Sequence, residues 1–378
     1  MKINKIKIRN FRNYDNALIS FSDNINIIYG SNGSGKTNLV EAINLLFLTK
    51  SFRLNNDRFL IKKGDDIASV EGEITKGNDV SKYKIILSKE KKQLEINNTK
   101  ITKISDYISK LNIVLYSPSD NKLIISLPND RRNLLNIEIS QIYKEYLLLL
   151  NKYNKLLKQR NAYLKQMLIN SCASKDYLMI LTKKLIEYGL IINKYRSNYI
   201  NNIINYITDI YEKIFGYGKL KVIYKSDFNN LNENDLLKKY NSLYKKEMNY
   251  GQTIYGIQHD DLLFYLDEEL LKNYGSEAQF KNSIISFKLA ELKVIYDIKK
   301  NYPILVLDDL FSELDDAKIN NIFALLNDNV QTFITTAEIG SINKKYLKNS
   351  KLIKIINGTI EENVWQNKKI TLIKIFKF

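Results

Sequence analysis

The chain has 378 residues, 44% hydrophobic and 26% charged, with three prolines and fourteen glycines. That supports one large or two to three smaller packed domains and excludes a disordered, collagen-like or proline-rich protein. Lys and Arg exceed Asp and Glu by 17, which favours a polyanionic partner, nucleic acid first and anionic membrane second.

A second source of lysine stays open, because Lys, Asn, Ile and Tyr, all abundant here, share A/T-rich codons. Cys172 and His259 are the single cysteine and histidine. An intramolecular disulfide and a cysteine- or histidine-built zinc site are thereby excluded, and a Ser-His-Asp hydrolase is a poor fit. No apolar run approaches the roughly 20 residues of a bilayer span, and the charged, alternating opening is unlike a signal peptide. A reduced, cytoplasmic setting is the simplest expectation.

In chain order, residues 5–9 alternate with period two, and 24–29 run apolar into a glycine, so both read as strands. Beyond a glycine-rich stretch, Leu39, Ile43, Leu46 and Phe47 mark one face of a helix. Meander strands are predicted near 67–74, 83–87 and 94–96, with Lys76-Gly77-Asn78-Asp79 as one turn. Another strand, 113–116, stops at Ser117-Pro118. From about 129 to 215 there is no proline and one glycine, Gly189. Tyr146, Leu149, Tyr153 and Leu156 step by three and four, as do Leu181, Leu185, Tyr188 and Ile192, and a polar stretch at 170–174 separates the two series. The expectation is an antiparallel helical hairpin with arms of about 40–50 Å, its tyrosines packed in the seam and not presented as a base-stacking platform. Strand signals return at 220–224, residues 226–250 read as loop and short helix, and the tail from 331 alternates strand runs with lysines.

Gly30-Ser31-Asn32-Gly33-Ser34-Gly35-Lys36-Thr37 fits G-x-x-x-x-G-K-[ST], with a strand before it and a helix after it. Glycines let backbone N–H groups turn inward to meet α- and β-phosphates. The helix starting near Gly35 adds its positive end. Lys36 is expected to reach the β/γ-phosphates of ATP, and the Thr37 hydroxyl to ligate Mg²⁺. Far downstream, Ile304-Leu305-Val306-Leu307 ends in Asp308-Asp309. A buried parallel strand delivers acids at its carboxyl end, where α/β folds place ligands. Asp308 is expected to hold Mg²⁺, mostly through water, and Asp309 to polarise the attacking water.

The run from Leu307 to Asp315, LDDLFSELD, resembles the Walker B and D-loop of RecF proteins, within the ABC-type ATPase superfamily that includes the SMC proteins. GSNGSGKTNLVEAI is similar to the Walker A and helix of that family. Tyr255-Gly256-Ile257-Gln258-His259-Asp260-Asp261-Leu262 resembles its G-P-H-R-D-D-L segment. Ser276-Glu277-Ala278-Gln279-Phe280-Lys281, followed by Leu289-Ala290-Glu291, resembles the signature S-x-G-Q-x-R and its helix. Asn10-Phe11-Arg12-Asn13-Tyr14 and the stretch from Ser117-Pro118 to Asp130-Arg131-Arg132 also look like the family. The departures are Ala278 for glycine, Lys281 for arginine, Gln258 for histidine, His259 for arginine and Ile257 for proline, and Thr335-Thr336-Ala337-Glu338 offers no switch histidine.

The resemblance implies an α/β, ABC-type P-loop ATPase head (residues 1–120 plus 250–378) with an inserted, mostly helical lobe (121–249). It implies that Ser276 caps a helix beginning near Gln279 and presents it to a γ-phosphate held by a second copy, so that ATP drives homodimerisation and hydrolysis releases it. The catalytic set is then Lys36, Asp309 and Ser276, and Ser276 and Gln279 join residues 30–37 in holding nucleotide. Implied partners are DNA (single-stranded, double-stranded, gaps and junctions), RecR and RecO, in recombinase loading, fork maintenance and the SOS response. Arg131, Arg132, Lys152, Lys155, Lys158 and Arg160 are the candidate phosphate contacts. An SMC-like tethering ATPase, a transporter ATPase subunit and a DNA-binding protein with little hydrolysis are the other readings.

Overall fold

The computed structural model describes residues 1–169, 173–326, 328–340 and 342–363. Most of the expected break between the helical arms (170–172, with Cys172) and the strand runs beyond 363 lie outside the described residues. The first part of the chain forms β1 (Lys2–Phe11), β2 (Tyr14–Ser20), β3 (Ile25–Tyr29), α1 (Lys36–Leu48), β4 (Ile67–Lys76), β5 (Asp79–Ser88), β6 (Lys92–Ile96), β7 (Thr99–Ile101), α2 (Ser105–Ile108) and β8 (Ile113–Tyr116). Then come α3 (Pro128–Ile142), α4 (Lys144–Ile169), α5 (Lys175–Phe215), β9 (Leu220–Lys225), α6 (Glu233–Tyr250), β10 (Asp261–Leu266), β11 (Glu269–Leu270) and α7 (Leu271–Tyr274). The last part holds α8 (Glu277–Lys299), β12 (Ile304–Leu307), α9 (Asp316–Leu325), β13 (Thr332–Thr336), α10 (Lys344–Lys348), β14 (Ser350–Ile356) and β15 (Thr359–Asn363).

Two compact units result, one of residues 1–121, 209–218 and 277 onward, the other of 122–208 and 219–276. The boundary expected near 250 falls inside the second unit, where β10 pairs with β9 along its whole length.

In the first unit, an antiparallel sheet of order β2-β1-β4-β5-β6-β7 stands against a sheet of order β15-β14-β3-β13-β12-β8. The antiparallel sheet follows its period-two pattern. Ile6, Ile8, Val70, Ile85 and Leu94 face the core. On the opposite face, Lys7, Glu71, Lys84, Glu95 and Lys100 lie in register across five strands, so that opposite charges alternate. Helix α1 is buried on nearly every side because it lies between the sheets, sharing one core with Ile28, Val306 and Phe333. At Gly72 of β4 a Cβ would come within 2.3 Å of Leu46, so the helix packs directly on that bare backbone.

In the second unit, α4 and α5 run antiparallel. Tyr146 meets Tyr195 at 5.7 Å, Arg160 Nε donates to Thr182 at 3.0 Å, and Tyr163 meets Tyr177 at 4.7 Å. Tyr146, Tyr153 and Tyr199 are fully buried, as seam residues should be. The expected first arm is in fact two helices, broken at Tyr143 (φ −124°, ψ 108°), where no proline or glycine marks the sequence.

Arg160 is buried, with Nη2 on Glu247 at 2.6 Å and Nη1 on Thr253 at 2.7 Å. Glu247→Ala strands that charge without a partner and should cost about 3–5 kcal/mol, whereas the double change Arg160→Met, Glu247→Leu removes both charges and recovers most of the loss. Urea unfolding distinguishes them. A loss under about 1 kcal/mol in the single variant would show that the pair is not buried as described.

Candidate functional site

Strands β3 and β12 both flank β13, and all three run parallel, with Ile27, Ile334 and Leu307 in one row. Their carboxyl ends therefore lie together, and the two motifs meet there although hundreds of residues separate them. The chain leaves β3 at Gly30 (φ 153°), turns through Gly33 (φ 81°) and enters α1 at Gly35 (φ 120°), backbone that favours glycine. A Cβ at Gly30 would come within 2.3 Å of the Ile355 carbonyl, and one at Gly35 within 2.7 Å of the Asn13 amide.

Lys36 Nζ folds back on the loop, donating to the carbonyls of Gly30 (2.7 Å) and Ser31 (3.0 Å). Burial lowers its pKa, and the charges of Asp309 and Asp308 pull it back up. Thr37 Oγ1 donates to Asp308 Oδ1 at 3.3 Å. Asp308 is buried, which raises its pKa, against hydrogen bonds from Thr335 and Thr37. Asp309 takes a left-handed backbone (φ 48°), its N–H donating to Thr335 Oγ1 at 2.8 Å. A cavity of about 350 Å³ opens here, lined by Asn32, Gly33, Gly35, Lys36, Thr37 and Asp309 among others. Ser31, Asn32 and Gly33 are exposed, while Ser34 is buried.

Sequence reasoning missed several residues of this site. Thr335 Oγ1 donates to Asp308 at 2.7 Å while accepting from Asp309, so it joins the two acids. Asn38 and Arg53 line the cavity. Asn13 Nδ2 and the Gly358 N–H both donate to the Ser34 carbonyl, at 3.0 and 2.9 Å, and Tyr14 OH donates to the Gly35 carbonyl at 2.9 Å. The turn after β1 and the turn before β15 thus brace the loop. A local signal existed only for the first, in the family-like Asn10 to Tyr14 segment.

Among the described residues no group of three or more His, Cys, Asp or Glu could hold a metal ion. The hydroxyl of Thr37 and the carboxylate of Asp308 are instead a pair of hard oxygens, the donor set a Mg²⁺ ion takes when it keeps waters and phosphate oxygens for its other positions. Ser276 is exposed and immediately precedes α8, which begins at Glu277, two residues before Gln279. Ala278 is exposed, Gln279 is half-buried, and residues 280–292 are buried.

The basic candidates divide. Lys152, Lys155 and Lys158 are exposed on α4. Arg131 and Arg160 are not available to a phosphate. Arg131 is buried, forked onto Asp261 at 2.6 and 3.0 Å, and Arg160 is held by Glu247. Arg132 is half-buried, donating to the Asp260 carbonyl at 2.9 Å. Among the described residues no helix is long and apolar enough to cross a membrane.

Residues 2–361 match the model of the RecF/RecN/SMC N-terminal domain. The DNA replication and repair protein RecF of Bacillus cereus is 36% identical over 369 residues, covering 96% of this chain and 98% of that protein, and RecF of Bacillus thuringiensis matches equally. Among solved structures, the recombination mediator protein RecF with ATP, in the RecFOR pathway, superposes with a TM-score of 0.87 at 28% identity, covering 96% of this chain and 97% of that one. An SMC head bound to the C-terminal winged-helix domain of ScpA superposes with a TM-score of 0.57 at 17% identity over 96% and 97%, which shows a shared fold. With its glycine-rich loop and paired acids on one edge of a parallel sheet, the chain has an α/β fold of the ABC/SMC-head type and belongs to the RecF family of DNA replication and repair proteins.

Proposed function

We propose that the chain binds ATP with Mg²⁺ at residues 30–37, pairs with a second copy across that nucleotide, and acts at DNA gaps and single-/double-strand junctions until hydrolysis releases it. One observation carries this reading: Lys36, Thr37, Asp308 and Asp309, from distant parts of the chain, are brought to one cavity edge. Relatives of the same fold are solved with ATP.

The backbone N–H groups of residues 33–37 and the positive end of α1 receive the phosphates. Lys36 exchanges its two loop carbonyls for phosphate oxygens. Thr37 and Asp308 would hold Mg²⁺, which would supply positive charge against the phosphates. Asp309, fixed through Thr335, orients and polarises the attacking water. Ser276, at the exposed start of α8, meets the γ-phosphate of the second copy, and Gln279 supports it. The alanine at 278, where the family has glycine, adds a methyl at that contact and favours slow turnover, a switch and not a motor. Cooperation with RecR and RecO in loading recombinase, a part in the SOS response and a cytoplasmic setting follow from the family.

DNA contact falls to the exposed lysines of α4, where Glu145 is the one carboxylate among residues 144–169. Phosphate contacts release counterions, so the slope of log affinity against log salt steepens by about 0.9 for each phosphate neutralised. Replacing Lys152, Lys155 and Lys158 together by alanine should flatten that slope by about 2–3 on a gapped duplex and remove DNA stimulation of ATP turnover. Fluorescence anisotropy and a phosphate-release assay read both. An unchanged slope would move the interface off α4, and turnover indifferent to DNA in the native chain would contradict the DNA-coupled switch.

A further inference from the structure

In the sheet β11-β10-β9, strand β9 is an edge. The Lys219 carbonyl accepts from Asp267 N–H at 3.2 Å, and the register runs from Leu220 opposite Leu266 to Lys225 opposite Asp261. Alternation in an antiparallel pair then directs Lys221, Ile223 and Lys225 toward β10, and turns the N–H and C=O groups of Leu220, Val222 and Tyr224 outward.

Two of the outward carbonyls are covered by side chains. Thr208 Oγ1 donates to Leu220 at 2.7 Å, and Asn229 Nδ2 donates to Tyr224 at 3.1 Å. Val222, between them, has a ladder partner only on the β10 side among the described residues. An unsatisfied strand edge of this kind is a template for another strand.

This edge faces a groove of about 500 Å³, whose other wall is α5. Four properties of the groove agree. Among the described residues Asn193 Oδ1 is buried without a hydrogen-bond partner, an acceptor in want of an N–H. Ile204 and Ile223, 44% and 48% exposed, give the groove apolar rims. Lys194 lines it and is exposed. Among the described residues no carboxylate lines it, which leaves Lys194 as its charged lining side chain.

We propose that this groove binds an extended, acidic peptide segment of a partner protein, added as a fourth strand along β9. Its backbone pairs with the outward N–H and C=O of Val222 and offers an N–H to Asn193. Apolar side chains rest on Ile204 and Ile223, and a carboxylate meets Lys194. This is recognition by strand addition, where the backbone ladder supplies affinity and alternate side chains supply selectivity. A nucleic-acid strand fits less well, since phosphates along its length need a row of cations and, among the described residues, Lys194 alone supplies one to the groove.

The test selects displayed random octapeptides against the full chain and measures the winners, fluorescein-labelled, by anisotropy. Selected peptides should alternate apolar and acidic residues. N-methylation of alternate peptide amides, and separately the surface changes Lys194→Glu and Ile204→Asp, should each weaken binding by at least about tenfold, with ATP affinity unchanged. Failure to select any saturable binder would overturn the proposal. So would binders indifferent to both N-methylation and Lys194→Glu, or a labelled single-stranded oligonucleotide whose binding is lost with Lys194→Glu.

Discussion

Replacing Lys36 with alanine removes measurable ATP binding. The ammonium is the one cation of the loop and is largely buried at the cavity wall, beside two carboxylates. Without it, the triphosphate would meet Asp308 and Asp309 with only Arg53 among the cavity-lining side chains carrying positive charge. Loss of charge-assisted hydrogen bonds costs about 1.5–3 kcal/mol each, so affinity should fall on the order of 100-fold or more. The fold should survive, because the contacts given up are two carbonyls of an exposed loop edge. Titration calorimetry with ATP and a thermal melt read the two quantities separately. Unchanged affinity in a folded variant would place the nucleotide elsewhere.

Ser276→Arg separates binding from pairing. Ser276 is exposed, and Glu277 and Ala278 beside it are exposed too, so a long side chain there does not disturb the core of its own chain. A serine hydroxyl at a helix start can approach a phosphate closely, whereas arginine holds the helix end several ångströms away and blocks the contact. The variant should bind ATP as tightly as the native chain and stay monomeric in its presence. Hydrolysis should fall with it, because in the proposed dimer the second copy completes the site. A variant that still dimerises with ATP would remove Ser276 from the interface.

The legible parts of this protein are those whose chemistry demands particular residue types at fixed spacing. Gly30 to Thr37 could be read because positive φ angles, a close backbone approach and a lysine folded onto the loop leave little choice of residue. Asp308-Asp309 could be read only beside the glycine loop, because an apolar run ending in two acids is by itself also a plain capped strand end. Thr335 could not be read, since its role comes from β13 lying between β3 and β12, a sheet order no local pattern encodes. Asn13 braces the loop across the fold for the same reason. Arg131 and Arg160 misled because a lone basic residue looks alike whether it meets solvent or a buried carboxylate, and their partners Asp261 and Glu247 lie far along the chain. The break at Tyr143 carries neither proline nor glycine. The pairing of β9 with β10 keeps residues 251–276 with the helical unit, whereas the boundary drawn with the family resemblance lay at 250.

Light scattering measures nucleotide-dependent pairing of two copies directly. With Mg²⁺ and ATP the native chain should show twice the mass it shows with Mg²⁺ and ADP, and Ser276→Arg should show the monomer mass in both. A native chain of one mass in both nucleotides, with ATP bound, would contradict it.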